Sequence, residues 1–172
     1  KSKTIVGMQR VNNIDVAYGL KLNNTPTDIA VATERGKHAI RILSLPDMQF
    51  IDGGYGIPVF EDAVNKKEKE TMGIALYTRP LDNAVYAIVG RKTGPSDGYL
   101  YQYLLKDNGK GEVVAELVRK FGRYSGKKEI ESIAVDNELG YVYYSDEQFG
   151  IRKYYADPAK GNEELAVFGS GE

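Results

Sequence analysis

Ile14-Asp15-Val16-Ala17 decides the fold, because this short, mostly apolar run returns twice along the chain. It returns as Ile74-Ala75-Leu76-Tyr77, 60 residues later, and as Ile133-Ala134-Val135-Asp136, after a further 59 residues. A second and a third run follow each copy in the same order. The second runs are Asp28–Ala32, Val85–Val89 and Tyr141–Ser145, and the third runs are Ile40–Leu43, Leu100–Tyr103 and Ile151–Tyr154. A period of about 50–60 residues built from short strands is typical of β-propeller blades.

Each repeat predicts a blade of four antiparallel strands, so we expect an all-β fold. We place the blades at about residues 11–52, 71–121 and 129–169 of one partial propeller domain, residues 1–172. In the first blade, Met48 to Asp52 is the expected outer strand. Propellers close with about 4–8 blades, so three blades form an arc that belongs to a larger ring or finds a partner. The exposed blade edges then favour self-association.

Composition excludes several classes of protein. The chain has 172 residues, with 23 basic and 24 acidic side chains and a net charge of −1, which argues against a nonspecific nucleic-acid binder. No stretch approaches the roughly 18 apolar residues of a membrane-spanning helix. Cysteine is absent, which excludes thiol nucleophiles and disulfides. The sole histidine, His38, begins a third strand, and we interpret it as a turn residue, not a catalyst.

The repeat also predicts which residues share one end of the blades, because equivalent positions lie at the same height. The innermost strands are preceded by Asn12, Met72 and Glu131, and the second strands end at Glu34-Arg35, Arg91-Lys92 and Glu147-Gln148. In an antiparallel blade, the first strand begins where the second one ends. We therefore expect a cluster at one mouth of the ring, formed by Asn12, Arg35, Lys92, Glu131 and Glu147.

This mixture of charges favours one kind of chemistry. Carboxylates suit hard cations such as calcium, which takes oxygen ligands. Arginine and lysine beside them suit phosphate oxygens. Together they indicate metal-assisted binding of a polyanion. The alternative is that these residues are ordinary charged loop ends without a shared function.

The same residues resemble the β-propeller phytases, calcium-dependent phosphatases of myo-inositol hexakisphosphate (phytate). The resemblance runs from Val11 to Pro158, nearly the whole chain, and five segments carry it. They are Val11-Asn12-Asn13-Ile14-Asp15-Val16, Asp28-Ile29-Ala30-Val31-Ala32-Thr33-Glu34-Arg35, Tyr86-Ala87-Ile88-Val89-Gly90-Arg91-Lys92, Glu131-Ser132-Ile133-Ala134-Val135-Asp136 and Ser145-Asp146-Glu147.

The resemblance implies a six-bladed ring that acts as a 3-phytase, of which this chain is a part. It implies phosphate binding by Arg35 and Lys92 and calcium ligation by Glu131, Glu147 and Asn12. It also implies that Glu147, Arg35 and Lys92 take part in catalysis. In the implied mechanism, a calcium-activated water attacks phosphorus and Glu147 bridges two ions. It also implies a secreted or periplasmic protein, although no signal peptide is visible in the sequence.

Some features depart from the family pattern. Met72 stands where the family has a tyrosine, and the early Asp-Pro-Ala-x-Trp element and the later acidic calcium loops are absent. We therefore expect the chain alone to be inactive or nearly so. Two other functions remain open: a non-enzymatic propeller that binds a protein or glycan, and an esterase or lactonase propeller that uses one metal.

Overall fold

A computed structural model describes residues 3–171, and it contains three four-stranded antiparallel sheets with very little helix. Blade 1 comprises β1 (Val11–Leu22), β2 (Thr25–Glu34), β3 (Ala39–Leu45) and β4 (Ile57–Pro58). Blade 2 comprises β5 (Thr71–Thr78), β6 (Val85–Arg91), β7 (Asp97–Asp107) and β8 (Val113–Arg123). Blade 3 comprises β9 (Ile133–Asp136), β10 (Tyr141–Asp146), β11 (Gly150–Tyr155) and β12 (Ala166–Phe168). The all-β prediction and the three antiparallel blades are confirmed, and the blades do not close a ring.

Helix is confined to short connections. One α-helix, α1 (Lys66–Lys69), lies in the charged link between blades 1 and 2, and single 3₁₀ turns occupy Arg35–Lys37 and Pro158–Lys160. The side chain of Asn65 caps α1 by accepting a hydrogen bond from the Lys67 amide. Within residues 3–171, no helix has the length and apolar character needed to cross a bilayer.

The outer strand of blade 1 differs from the prediction. Of the expected Met48–Asp52 strand, Phe50 forms a single bridge to Leu43, and the strand that pairs with β3 is instead Ile57–Pro58. Met48 has a φ of 54°, which interrupts an extended strand. The Asp52 carboxylate also accepts the Ile42 amide proton at 3.1 Å, so a side chain takes the place of a ladder carbonyl.

The strand period of two divides blade 2 between two cores. On β6, Val85, Ala87 and Val89 belong to the core shared with blade 1, whereas Tyr86 and Ile88 belong to the core shared with blade 3. All five side chains are buried. Blade 2 is therefore covered on both faces, as the apolar sequence of β6 predicts.

Side chains join the inner strands, which belong to three separate sheets. Asn13 donates from Nδ2 to the carbonyl oxygens of Met72, at 3.4 Å, and Glu131, at 3.2 Å. Asp15 accepts the Leu76 amide at 2.7 Å. These bonds hold β1, β5 and the start of β9 at a common height, and they bring the loop ends of all three blades together.

The two ends of the arc are different. On the face of blade 1 that points away from blade 2, Ala30, Ala32 and Leu43 are buried. The segment 50–56 lies over this face, since the Phe50 ring stacks on Arg41 and Gly56 lies against Arg41 and Ala39. This segment covers the β3 side of the face, whereas Ile14 and Val16 of β1, which pair with Ala32 and Ala30, remain exposed on it.

Blade 3 leaves its outer face open. Cross-strand pairing puts five residues on this open tyrosine face, namely Tyr141, Tyr143, Ile151, Tyr155 and Phe168. Each is half-buried or exposed. The rings of Tyr141 and Tyr155 stack at 5.6 Å, and the Lys153 ammonium lies 3.6 Å from the Tyr141 ring centroid.

Candidate functional site

The strand register identifies the equivalent residues at the end of each blade. The second strands end at Glu34, Arg91 and Asp146, so the equivalent residues that follow are Arg35, Lys92 and Glu147. In blade 3 this alignment differs by one residue from the sequence alignment, which matched Glu147-Gln148 to Glu34-Arg35. Glu147 itself nevertheless falls at the same position as Arg35 and Lys92.

Irregular pairing marks the beginning of two inner strands. The register shifts by one residue between Val11 and Ile14 in β1 and between Thr71 and Ile74 in β5. Bulges of this kind redirect side chains and are frequent beside active sites. Asn12 and Met72 lie within these shifts, so their side chains leave the regular alternation of the strand.

Arg35 lies in a cradle of neutral groups. Its Nη2 donates to Asn12 Oδ1 at 3.2 Å and contacts Met72 Sδ, and its Nε donates to the Thr71 carbonyl at 3.4 Å. Met72 and Thr71 are fully buried. The cradle therefore joins blade 1 to blade 2 and fixes the guanidinium without neutralising it.

Lys92 has a different environment. Its Nζ lies 3.1 Å from Glu129 Oε1, and both side chains are about one-third exposed (36% and 33%). Its amide donates to the Glu70 carbonyl at 2.9 Å, which extends the strand pairing by one residue. Lys92 is therefore rigid at its backbone, and its charge is balanced by a partner that sequence reasoning missed. No repeated pattern connects Lys92 to Glu129, which lies in a loop.

Glu131 and Glu147 lie at the same end of blade 3. The Ser145 amide donates to the Ser132 carbonyl at 3.0 Å, so the pairing continues toward both residues. Glu147 is in the turn after β10, and both side chains are exposed. Neither carboxylate makes a hydrogen bond or ion pair with the rest of the described chain, residues 3–171.

Close packing fixes the backbone at Glu131. A β-carbon at Gly73 would collide with the Glu131 carbonyl oxygen, so the close approach requires glycine at position 73. The same oxygen accepts the Asn13 hydrogen bond. The Glu131 carboxylate is thus available to a ligand, while the backbone of Glu131 is held against blades 1 and 2.

The residues fit part of a calcium site but not a whole one. Calcium takes 6–8 oxygen ligands. Across residues 3–171, no group of three or more histidine, aspartate or glutamate side chains is close enough to hold a metal ion. Two unpaired carboxylates at one blade end are the right donors, yet further ligands must come from elsewhere.

Sequence reasoning also missed a pair of buried charge clusters. Arg41 is hydrogen-bonded to Glu34 at 3.0 Å and to Asp52 at 2.7 Å. Arg152 is hydrogen-bonded to Asp146 at 2.9 Å and Glu164 at 2.7 Å. The signal was present, because the third runs of the repeat contain Ile40-Arg41 and Ile151-Arg152 at matching positions. These clusters fix the ends of β2 and β10, directly before Arg35 and Glu147.

Two clefts lie at the end of the blades that carries the predicted site. One of about 350 Å³ runs along the inner strands and is lined by Asn13, Asp15 and Glu131. A larger one, of about 710 Å³, lies farther out on blades 2 and 3, beside Asp97, Arg123 and Glu163. The smaller cleft is the one that adjoins the inner strands.

Two comparisons with known proteins point to the same family. The phytase family model matches residues 1–170. The 3-phytase of Bacillus subtilis (strain 168) is 32% identical over 164 residues, which cover 92% of this chain and 40% of that protein. The chain therefore spans less than half the length of this curated relative.

Proposed function

The chain belongs to the phytase family, and from that premise we propose that it is part of a protein that hydrolyses phosphate monoesters of phytate. One observation carries the proposal: the un-neutralised Arg35, held in its neutral cradle, shares one end of the blades with Lys92 and with the unpaired carboxylates of Glu131 and Glu147. Cations and carboxylates in such proximity suit a phosphate together with its counter-ion.

The two basic side chains, Arg35 and Lys92, have separate roles in this proposal. Arg35 presents a planar guanidinium, which binds two phosphate oxygens at once. Lys92 supplies a point charge, and it must exchange Glu129 for the phosphate. Both cations then stabilise the negative charge that develops on the phosphoryl oxygens in the transition state.

We propose calcium as the cofactor, with Glu131, Glu147 and Asn12 among its oxygen ligands. A bound calcium ion supplies positive charge to the phosphate and lowers the pKa of a bound water molecule. The carboxylates of Glu131 and Glu147 provide two of the required ligands, and both belong to the same end of blade 3. A proton-transfer role for Glu147 is part of the same proposal, since its carboxylate has no competing partner within residues 3–171.

The 172-residue chain should have little activity alone. Its described residues provide only part of the calcium ligands, and an open arc exposes the site to water, which weakens every charge–charge contact.

The test is phosphate release from phytate, with and without calcium, by a full-length protein containing this segment and by the 172-residue chain. We expect calcium-dependent release by the longer protein and a loss of about 100-fold or more in Glu147→Gln. The matched control is Glu138→Gln, an exposed glutamate in the turn between β9 and β10. Full activity of Glu147→Gln contradicts the proposed role. Absence of release by the longer protein contradicts the function and favours the binding-module alternative.

We also propose that two copies of the chain associate through the open tyrosine face. We choose the blade 3 face because the chain's own segment 50–56 covers the β3 side of the outer face of blade 1, whereas the open tyrosine face presents five half-buried or exposed side chains. Two copies of one surface form a closed, two-fold dimer and not a filament.

Sedimentation velocity tests this association. We expect the 172-residue chain to sediment as a dimer and Ile151→Lys to sediment as a monomer, since Ile151 lies within the open tyrosine face and is 45% exposed. Leu81→Lys changes an exposed leucine elsewhere and should remain dimeric. A monomeric wild-type chain, or an open series of larger assemblies, contradicts the two-fold dimer.

Secretion or periplasmic location is a further part of the proposal, supported by the family membership. Fractionation of the source cells, with antibody detection, tests it, and recovery in the cytoplasm alone contradicts it.

A further inference from the structure

Arg35 differs from three arginines of this fold that are held by carboxylates. Arg41 and Arg152 each bind two carboxylates, and Arg79 binds Asp82 and Asp157. Within residues 3–171, Arg35 has no carboxylate partner. Its orientation therefore depends on neutral acceptors, which leave its full charge available.

Met72 is the centre of this neutral cradle. Its side chain is fully buried, and its sulfur contacts Arg35 Nη2 and lies 4.0 Å from Asn12 Nδ2. A thioether is a weak acceptor that carries no charge. It can hold a guanidinium in place through packing and a weak hydrogen bond, but it does not compete with a phosphate for the cation.

Asn12 completes the cradle from blade 1. Its Oδ1 accepts from Arg35 Nη2, and its Nδ2 points to the Met72 sulfur. The Nη1 atom of Arg35 makes no hydrogen bond within the described residues, so the outer edge of the guanidinium remains available.

We propose that Met72 is a positioning residue: its thioether, together with Asn12, holds Arg35 so that the un-neutralised guanidinium faces the phosphate of the substrate. This inference rests on the proposed function for the identity of the substrate.

A double-mutant cycle on the full-length protein tests the inference, with inorganic phosphate as the probe in titration calorimetry and phytate in kinetics. Met72→Leu keeps the volume and removes the sulfur, so the fold should remain intact. We expect it to weaken phosphate binding by about 3–10-fold and to raise KM more than it lowers kcat. In an Arg35→Gln background, the same substitution should have no further effect.

The control is Met8→Leu, a half-buried methionine outside the cradle, which should bind phosphate like the wild type. Unchanged binding in Met72→Leu, an equal effect of that substitution with and without Arg35, or no phosphate binding by the wild type each overturns the inference. Binding of inorganic phosphate that depends on Met72 and Arg35, without hydrolysis of phytate, overturns the proposed function and leaves the positioning role in place.

Discussion

Blade 2 packs against a neighbour on each face, and the two interfaces have different compositions. The core shared with blade 1 is mostly aliphatic and contains Tyr101 and Tyr103 as its only tyrosines among the described buried residues. The core shared with blade 3 has eleven buried residues, and five of them are tyrosines: Tyr77, Tyr86, Tyr99, Tyr144 and Tyr154.

Two buried arginines, one near each interface, also have different partners. Near blade 1, Arg91 lies against the rings of Phe60 and Tyr101, each with a centroid 4.9 Å away, and it has no carboxylate partner within residues 3–171. Near blade 3, Arg152 is bound by Asp146 and Glu164. Arg91 is thus shielded by aromatic rings, whereas Arg152 is neutralised by acids. The surroundings of Arg152 should therefore respond to the loss of a single acid, whereas Arg91 has no acid to lose.

The largest effect is expected where an acid is removed from the blade 3 interface. Asp146→Asn leaves Arg152 with one carboxylate, and it also disturbs the hydrogen bonds that Asp146 accepts from the Ser125 amide and hydroxyl. Breaking a buried ion pair on one side costs about 3–5 kcal/mol of unfolding free energy. Urea unfolding of the 172-residue chain measures this cost.

The control for this substitution is Glu138→Gln, which changes an exposed acid and should alter the unfolding free energy by less than about 0.5 kcal/mol. A cost for Asp146→Asn close to that of the control would show that the acids are not what stabilises the blade 3 interface.

An intermediate effect is expected at alkaline pH. Burial, together with the hydrogen bond that its hydroxyl donates to Glu164, raises the pKa of Tyr154 to about 12. Tyrosine in the unfolded chain ionises near 10. Between about pH 10 and pH 12 the unfolded state therefore loses its proton first, and stability falls as pH rises, by at most about 3 kcal/mol.

Tyr154→Phe should reduce this alkaline loss in part, since burial also raises the pKa values of Tyr99, Tyr103 and Tyr144, which contribute the remainder. The measurement is the slope of unfolding free energy against pH above 10. Tyr55→Phe serves as the control, because Tyr55 is 85% exposed. An unchanged slope in Tyr154→Phe would assign the alkaline loss to other groups.

The smallest effect is expected at Arg91. Arg91→Met removes a buried cation without leaving a carboxylate unpaired, and methionine can fill the space between Phe60 and Tyr101. We expect a change of less than about 1.5 kcal/mol in either direction, measured by urea unfolding. A loss as large as that of Asp146→Asn would mean that the aromatic rings stabilise the cation as strongly as acids do.

Much of the fold could be predicted because its signals are local. A continuous apolar run, Val85–Val89, defines β6, and similar spacing identifies its counterparts in the other blades. The outer strand of blade 1 could not be predicted, because the Asp52 carboxylate replaces a ladder carbonyl, and that bond forms only when Arg41 and Ile42 fold against it.

The same limit applies to the candidate site. A repeat indicates which residues share one end of the blades, so it could associate Asn12 with Arg35. It could not indicate Glu129 as the partner of Lys92, since that ion pair joins a strand end to an irregular loop. The sequence alignment also placed the end of β10 one residue too late. The apolar residues stop at Tyr144, inside β10, so they do not mark where the strand ends and the turn begins.

The side-chain bonds between the inner strands have a consequence for how such chains evolve. Asn13 and Asp15 connect blade 1 to its neighbours, and Asn137 similarly connects blade 3 to Thr78, at 2.7 Å. No backbone ladder crosses these junctions, because each sheet is complete within its own blade. Duplication or deletion of one blade-length segment of the gene therefore leaves every sheet fully paired and changes only the contacts between blades. Modular growth of the ring requires that the apolar faces and the polar side chains at each seam be copied with the blade.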